Sequence, residues 1–198
     1  MDNEPLYDKP IKFINDPNIT ELHDSIFLYQ NFLDQDILSE YNEMLRSMPE
    51  SDWHIHGNFY DKDHEETYWG NKCSPDIVGP DVTEKILNLV APNFWTLQIK
   101  NFVRLQTKES SALHDNLNYY KHGTRIIGNY KIALYLNNDY EGGDIFFPNL
   151  DFRYHPKAGD LLIFKIDPDF VHYTETVTSG TRYAYNDIAL YNPGYFMP

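Results

Sequence analysis

The 198-residue sequence holds one cysteine, Cys73. A lone thiol forms no intrachain disulfide and supplies no cysteine-based zinc site. Basic residues are scarce as well: 16 Lys and Arg stand against 30 Asp and Glu, a formal net charge of −14. Proteins that grip a phosphate backbone draw much of their affinity from Lys and Arg, so nucleic acid is not an expected partner, although a local basic pocket for a small anion remains compatible. Apolar runs reach only about four to six residues, where roughly 20 are needed to span a bilayer. The opening stretch, Met1-Asp2-Asn3-Glu4-Pro5, has neither the basic nor the apolar segment of a secretory leader. The expectation is a soluble, cytoplasmic protein without membrane contact.

Aromatic residues are abundant instead. Sixteen Tyr and twelve Phe favour the pleated, half-buried surface of a sheet. Twelve Pro and ten Gly are scattered through the chain rather than repeated, and they punctuate many short segments. A β-rich domain follows.

Residues 1–24 read as an extended lead-in and residues 25–29 as a short strand. Asp34 then stands as an N-cap before Ile37, Leu38, Tyr41, Met44, Leu45 and Met48. That spacing lays one apolar stripe along a helix of about four turns, stopped by Pro49. Residues 49–80 follow neither period and read as a long loop. Asp81 and Glu84 form a capping-box-like pair opening a second helix that ends before Pro92. From residue 94 the period becomes two. Strand-like segments lie at 95–106, 130–136, 144–147, 151–155, 160–164, 170–177 and 181–191, separated by signals such as Asn137-Asn138-Asp139, Gly142-Gly143 and Ser179-Gly180. Several short strands with tight turns imply a barrel or sandwich that hides its edges. The reading is one domain over 1–198, with helical support at about 25–92 and a β core at about 94–192.

Two histidines of the β half lie near candidate partners. His114 sits in Leu113-His114-Asp115-Asn116, and His172 in a late strand, ten residues before Arg182. Two histidines, a nearby oxygen ligand and a later arginine are the ingredients of a two-His, one-carboxylate site for Fe(II) with an anchor for a dicarboxylic acid.

The surrounding motifs resemble a known family. These are the His114 segment, Ala133-Leu134-Tyr135-Leu136-Asn137, Tyr140-Glu141-Gly142-Gly143-Asp144-Ile145-Phe146-Phe147-Pro148, Pro156-Lys157-Ala158-Gly159-Asp160-Leu161-Leu162-Ile163-Phe164, and His172 through Gly180-Thr181-Arg182. In this order and spacing they resemble the Fe(II)- and 2-oxoglutarate-dependent oxygenases, in particular the prolyl 4-hydroxylase-like branch. The resemblance implies a mainly β fold with supporting α, namely a double-stranded β-helix (jelly-roll) core with N-terminal helices. It implies that His114 and His172 bind Fe(II), that Arg182 pairs with the distal carboxylate of 2-oxoglutarate, and that Tyr130 is a second candidate for that carboxylate. It also implies O2 as co-reactant, ascorbate as reductant, and hydroxylation of an unactivated C–H bond in a peptide, protein or small-molecule substrate, a prolyl residue being one such target.

One position departs from the family pattern of His, any residue, then Asp or Glu. Here Asn116 occupies the third place and Asp115 the second. Positions i and i+2 of an extended segment share a side, which favours Asn116 as ligand; a local bulge would aim Asp115 instead. A neutral amide is a poorer ligand for Fe(II), which lies low in the divalent affinity order. A catalytically impaired binding module is therefore the alternative function. Halogenases of the same group place chloride where a small residue stands, a space that Asn fills. Elsewhere, His122 and His155 match no motif position. Gly142, Gly143, Lys157 and Gly159 shape turns. His54, His56 and His64 lack a convincing acidic or cysteine partner for a second metal site. The 53–73 loop, with Trp53, Tyr60, Tyr68 and Trp69, reads as a lid over a substrate entrance.

Overall fold

The segment Tyr130-Lys131-Ile132-Ala133-Leu134-Tyr135 forms a central strand in a computed structural model of the chain, which describes residues 16–55, 71–73, 80–90, 94–96, 101–115, 119–121, 124–126 and 129–191. The strands are β1 (Ile19–His23), β2 (Ile26–Tyr29), β3 (Trp53–Ile55), β4 (Asn71–Cys73), β5 (Phe94–Thr96), β6 (Asn101–Gln106), β7 (Tyr119–Lys121), β8 (Thr124–Ile126), β9 (Tyr130–Tyr135), β10 (Tyr140–Gly142), β11 (Ile145–Phe147), β12 (Phe152–Tyr154), β13 (Leu161–Lys165), β14 (Tyr173–Thr174) and β15 (Val177–Tyr191). The helices are α1 (Gln35–Ser47) and α2 (Pro80–Leu89). The larger sheet runs β1-β2-β13-β9-β15-β6-β4-β3, with β5 and β10 also paired to β15. A second sheet runs β12-β11-β14, and β7 pairs with β8.

Both faces of the larger sheet are covered. Tyr130, Ile132, Leu134 and Leu136 share one cluster with Leu38 and Leu45 of α1 and Val82, Ile86 and Leu89 of α2. The next residues along the same strand point the other way. Ala133 and Tyr135 join Leu162, Phe164 and Ala184 against Ile145 and Phe147 of the second sheet, and the Phe147 and Phe164 rings meet edge to face at 5.0 Å. Helices on one face and a second antiparallel sheet on the other make a mainly β jelly-roll with supporting helices. Each fully buried Leu contributes enough that truncation to Ala costs about 2–5 kcal/mol.

The first helix follows its sequence signals. Asp34 holds the N-cap position and Met48, before Pro49, the C-cap. The second begins at Pro80, so Asp81 is a helical residue rather than the cap, and Pro occupies the place its missing N–H suits. The lead-in contains a strand that its composition hides: β1 pairs with β2, which pairs with β13. Part of the expected 49–80 loop is also sheet, since β3 pairs with β4 and β4 with β6. Trp53 is buried beneath the Arg104 guanidinium, 4.6 Å from its ring, and beside Tyr183 at 6.0 Å. It packs the sheet and is not part of a lid. Tyr60, Tyr68, Trp69, His56, His64, Asn116 and His122 lie outside the described residues, and of His54 only the backbone, on β3, is described. Among the described residues no helix is long and apolar enough to cross a membrane.

Candidate metal centre and anion pocket

A short antiparallel contact brings the two histidines together. Ser111 donates its N–H to the Thr174 carbonyl at 3.0 Å, and His114 and His172 exchange both backbone hydrogen bonds at 2.9 Å. They therefore stand directly opposite each other in an isolated bridge, the arrangement of a hydrogen-bonded antiparallel pair. Their ring centroids are 4.3 Å apart. The rings are also fixed in rotation. His114 Nδ1 donates to the Ala112 carbonyl at 2.8 Å, and His172 Nδ1 donates to the Phe170 carbonyl at 2.9 Å. A carbonyl can only accept, so each neutral ring carries its proton on Nδ1 and its lone pair on Nε2. A metal-binding histidine is oriented in this way.

His172 is buried, with Phe164 at 4.7 Å and Phe147 at 5.4 Å between centroids. Burial lowers its pKa to about 4, against the Phe170 hydrogen bond and with help from the charge of Lys131. At neutral pH the imidazole is uncharged, the state in which it can donate a lone pair. His114 is partly buried, as is Asp115 next to it. Among the described residues no group of three or more His, Cys, Asp or Glu is gathered in a way that would hold a metal.

Arg182 belongs to the same interior. On β15 it is followed two residues later by Ala184, whose partner on β9 is Tyr135. Arg182 is 4% exposed, and its guanidinium carbon lies 4.8 Å from the centre of the Tyr135 ring. Arg182 Nε and the Tyr135 hydroxyl are both buried without a hydrogen-bond partner among the described residues. Burial pushes the Tyr135 pKa up to about 12, although the Arg182 cation pulls it down. Buried polar atoms are nearly always satisfied, and one carboxylate would accept from both of these donors. The residues present thus fit a dicarboxylic acid anchored at this end. The glycine pair does more than turn the chain. A Cβ on Gly143 would come within 3.0 Å of Arg182 Cδ, at a φ of +68°, so the absence of a side chain leaves room for the arginine.

Tyr130 does not reach this pocket. It lies in the cluster shared with the helices and packs against Phe94 at 5.9 Å. Tyrosines five positions apart on one strand point to opposite faces, and Tyr135 is the one over Arg182. His155 lies on the surface, where its Nδ1 pairs with Asp144 Oδ1 at 2.6 Å.

No family model matches the chain. A curated protein of Acanthamoeba polyphaga mimivirus, "Putative prolyl 4-hydroxylase", is 36% identical over 72 residues, a match covering 32% of this chain and 28% of that relative. The chain thus matches less than a third of that relative's length. Among solved structures, the viral collagen prolyl hydroxylase of Paramecium bursaria Chlorella virus-1 in complex with 2OG has a TM-score of 0.59 at 15% identity, covering 84% of this chain and 96% of that one. A prolyl hydroxylase from Trichoplax adhaerens, in complex with a hypoxia inducible factor oxygen degradation domain peptide, has a TM-score of 0.61 at 16% identity over 84% and 83%. A Pseudomonas putida prolyl-4-hydroxylase has 0.56 at 14% identity over 86% and 94%. The chain therefore has the double-stranded β-helix fold of the 2OG-Fe(II) oxygenases and resembles their prolyl 4-hydroxylase-like branch.

Proposed function

We propose, from this fold as the premise, that the chain is an Fe(II)- and 2-oxoglutarate-dependent dioxygenase that hydroxylates an unactivated C–H bond, with a prolyl residue in a peptide as the first target to test. His114 and His172 would hold the metal through Nε2. The third ligand falls to Asn116 by its spacing, with Asp115 as the competing residue. Arg182 and the Tyr135 hydroxyl would receive the distal carboxylate of 2-oxoglutarate. When bound, Fe(II) with 2-oxoglutarate and O2 supplies oxidative decarboxylation coupled to hydroxylation, chemistry that no side chain provides by itself.

The chain's own residues bind and orient. The carbonyls of Ala112 and Phe170 hold both imidazole rings in one tautomer and one rotation, so little reorganisation is left when a metal arrives. Phe147 and Phe164 wall the His172 side of the interior and exclude water from it. Arg182, stacked on Tyr135, presents a fixed planar donor set, which gives a carboxylate geometry as well as charge. What supports the reading is the pair of Nδ1-pinned imidazoles facing each other and, on the inner face of the same sheet as Tyr135, an arginine whose buried Nε has no acceptor among the described residues.

The test is succinate formation from Fe(II), ascorbate and 2-oxoglutarate, with and without prolyl peptides, alongside the visible absorbance of the metal with 2-oxoglutarate. Wild type should produce both signals. His172→Ala should lose both, and Arg182→Gln should require about ten- to a hundredfold more 2-oxoglutarate. Separate Asn116→Ala and Asp115→Ala variants assign the third ligand by metal retention. If wild type gives neither signal and matches His172→Ala, the hydroxylase reading falls and the binding-module alternative takes its place.

A further inference from the structure

Lys131 is a cation at a stretch of the inner wall whose register neighbours are apolar. It shares its side of β9 with Ala133 and Tyr135, and its register partners are Phe164 on β13 and Ile188 on β15. Cross-strand partners project to the same side of a sheet, so Lys131 is directed into the space between the two sheets, where Phe164 packs on His172. Its charge reaches that imidazole and lowers its basicity. The side chain is partly buried, and it makes no ion pair or side-chain hydrogen bond among the described residues. Asp187, whose field it feels, pairs in register with Ile132 and so lies on the opposite face, where it accepts from the Tyr185 hydroxyl and the Ile188 N–H. Desolvation lowers Lys131 to about 8, which still leaves it mostly charged at neutral pH. A charge held against apolar walls is costly unless an opposite charge joins it.

We propose that Lys131 is a second anion-binding residue, separate from Arg182, that holds a carboxylate between the sheets beside His172. The inference rests on the oxygenase reading and deepens it, because it makes the ligand at this end a carboxylate-bearing molecule. Two sources share that chemistry: the substrate itself, and the 2-oxo acid end of the cosubstrate. Tyr135, beneath Arg182, is four residues along β9 from Lys131, about 13 Å of strand. The two cations therefore mark different ends of the interior, which favours the substrate.

The experiment uses the Mn(II)-loaded full chain, as wild type, Lys131→Met and Lys131→Arg. 2-Oxoglutarate is titrated by calorimetry. N-acetylproline and its neutral amide, identical except for the carboxylate, are then titrated into the 2-oxoglutarate complex. In parallel, the 13Cε signal of Lys131 in lysine-labelled, metal-free wild type is followed on addition of the same two probes, assigned through its absence in Lys131→Arg. The expected result is that N-acetylproline moves the Lys131 signal and binds about tenfold or more weakly to Lys131→Met. Lys131→Arg should retain binding, and the amide should be indifferent to the variants. A tenfold loss for 2-oxoglutarate instead assigns the carboxylate to the cosubstrate and keeps the residue's role. Equal affinities in all three proteins, with an unmoved Lys131 signal, overturn the proposal. A wild type that ignores 2-oxoglutarate while its Lys131 signal still responds to N-acetylproline overturns the oxygenase reading and leaves this one standing. If Lys131→Met does not fold, the wild-type signal decides.

Discussion

Tyr135 carries a hydroxyl that is buried and, among the described residues, within hydrogen-bonding distance of no partner, and an unmet polar group of this kind costs about 1–3 kcal/mol. Tyr135→Phe removes that hydroxyl and keeps the ring on which Arg182 rests. The ligand-free variant should therefore be as stable as wild type, or up to about 1 kcal/mol more stable, while 2-oxoglutarate binding weakens about three- to tenfold. Melting temperatures with and without Mn(II) and 2-oxoglutarate read both effects in one experiment. A less stable apo variant with undiminished binding would remove the hydroxyl from the pocket. The family resemblance offers Tyr130, by its spacing after His114, and the structure turns that ring to the opposite face from Tyr135 for a physical reason. A strand covered on both faces is apolar at odd and even positions alike, so Tyr130-Lys131-Ile132-Ala133-Leu134-Tyr135 carries no mark of which alternate set faces the interior. Lys131 hides for the opposite reason, since a lysine within a strand reads as a residue turned to solvent. His114, His172 and Arg182 stand out as candidates because their neighbours on either side fall into a recognisable order; the structure sets the two histidines opposite each other and buries the arginine, and their ligand roles belong to the proposal.

Elements that make their own local pattern were readable. The first helix has an apolar stripe, an N-cap aspartate and a terminating proline, and the structure follows all three. Turns were readable where a positive φ demands glycine, as at Gly142, Gly143, Gly159 and Gly180. Strands β1, β3 and β4 were not, because three to five residues are too few for a period and they owe their form to the neighbours they pair with. Two ion pairs tie the segment around α1 to the sheet. Arg46 bonds both carboxylate oxygens of Asp139, and Arg104 bonds both of Glu50. The Arg104 hydrogen bond holds Glu50 below its usual pKa. At Asp139 burial pushes upward, yet the hydrogen bonds from Asn137 and Arg46 outweigh it and the pKa is lowered. With both folded-state values depressed, the unfolded chain binds more protons in acid, and stability falls as pH falls. The contribution is whole above the unfolded values of 4.5 and 3.8 and is lost as pH drops through the folded ones. A Glu50→Gln, Asp139→Asn double variant should therefore show a shallower decline in urea midpoint between about pH 5 and pH 3. The exposed Asp139 pair should account for less than about 1 kcal/mol of the difference at neutral pH. Parallel decline of both proteins would mean that the pairs add nothing to the fold.

At the scale of the whole molecule, the net charge and the candidate anion pocket have opposite signs. The chain carries a net charge of −14, while the candidate pocket for 2-oxoglutarate is built around the buried Arg182 guanidinium. A dianion such as 2-oxoglutarate must cross a repulsive field before it meets an attractive one. The outer field is screened by salt, with a Debye length of about 8 Å at 0.15 M, whereas buried pairs are screened much less. Association and dissociation should thus respond differently. Raising the salt from about 20 to 200 mM should speed association of 2-oxoglutarate with the Mn(II)-loaded protein a few fold and leave its dissociation nearly unchanged. A basic prolyl peptide should show the reverse trend in association, since the same field draws it in. Stopped-flow tryptophan fluorescence separates the two rate constants for each ligand. If salt slows 2-oxoglutarate instead, the local field at the mouth is positive and outweighs the net charge, and the cationic groups around the pocket then govern the approach of the ligand as well as its capture.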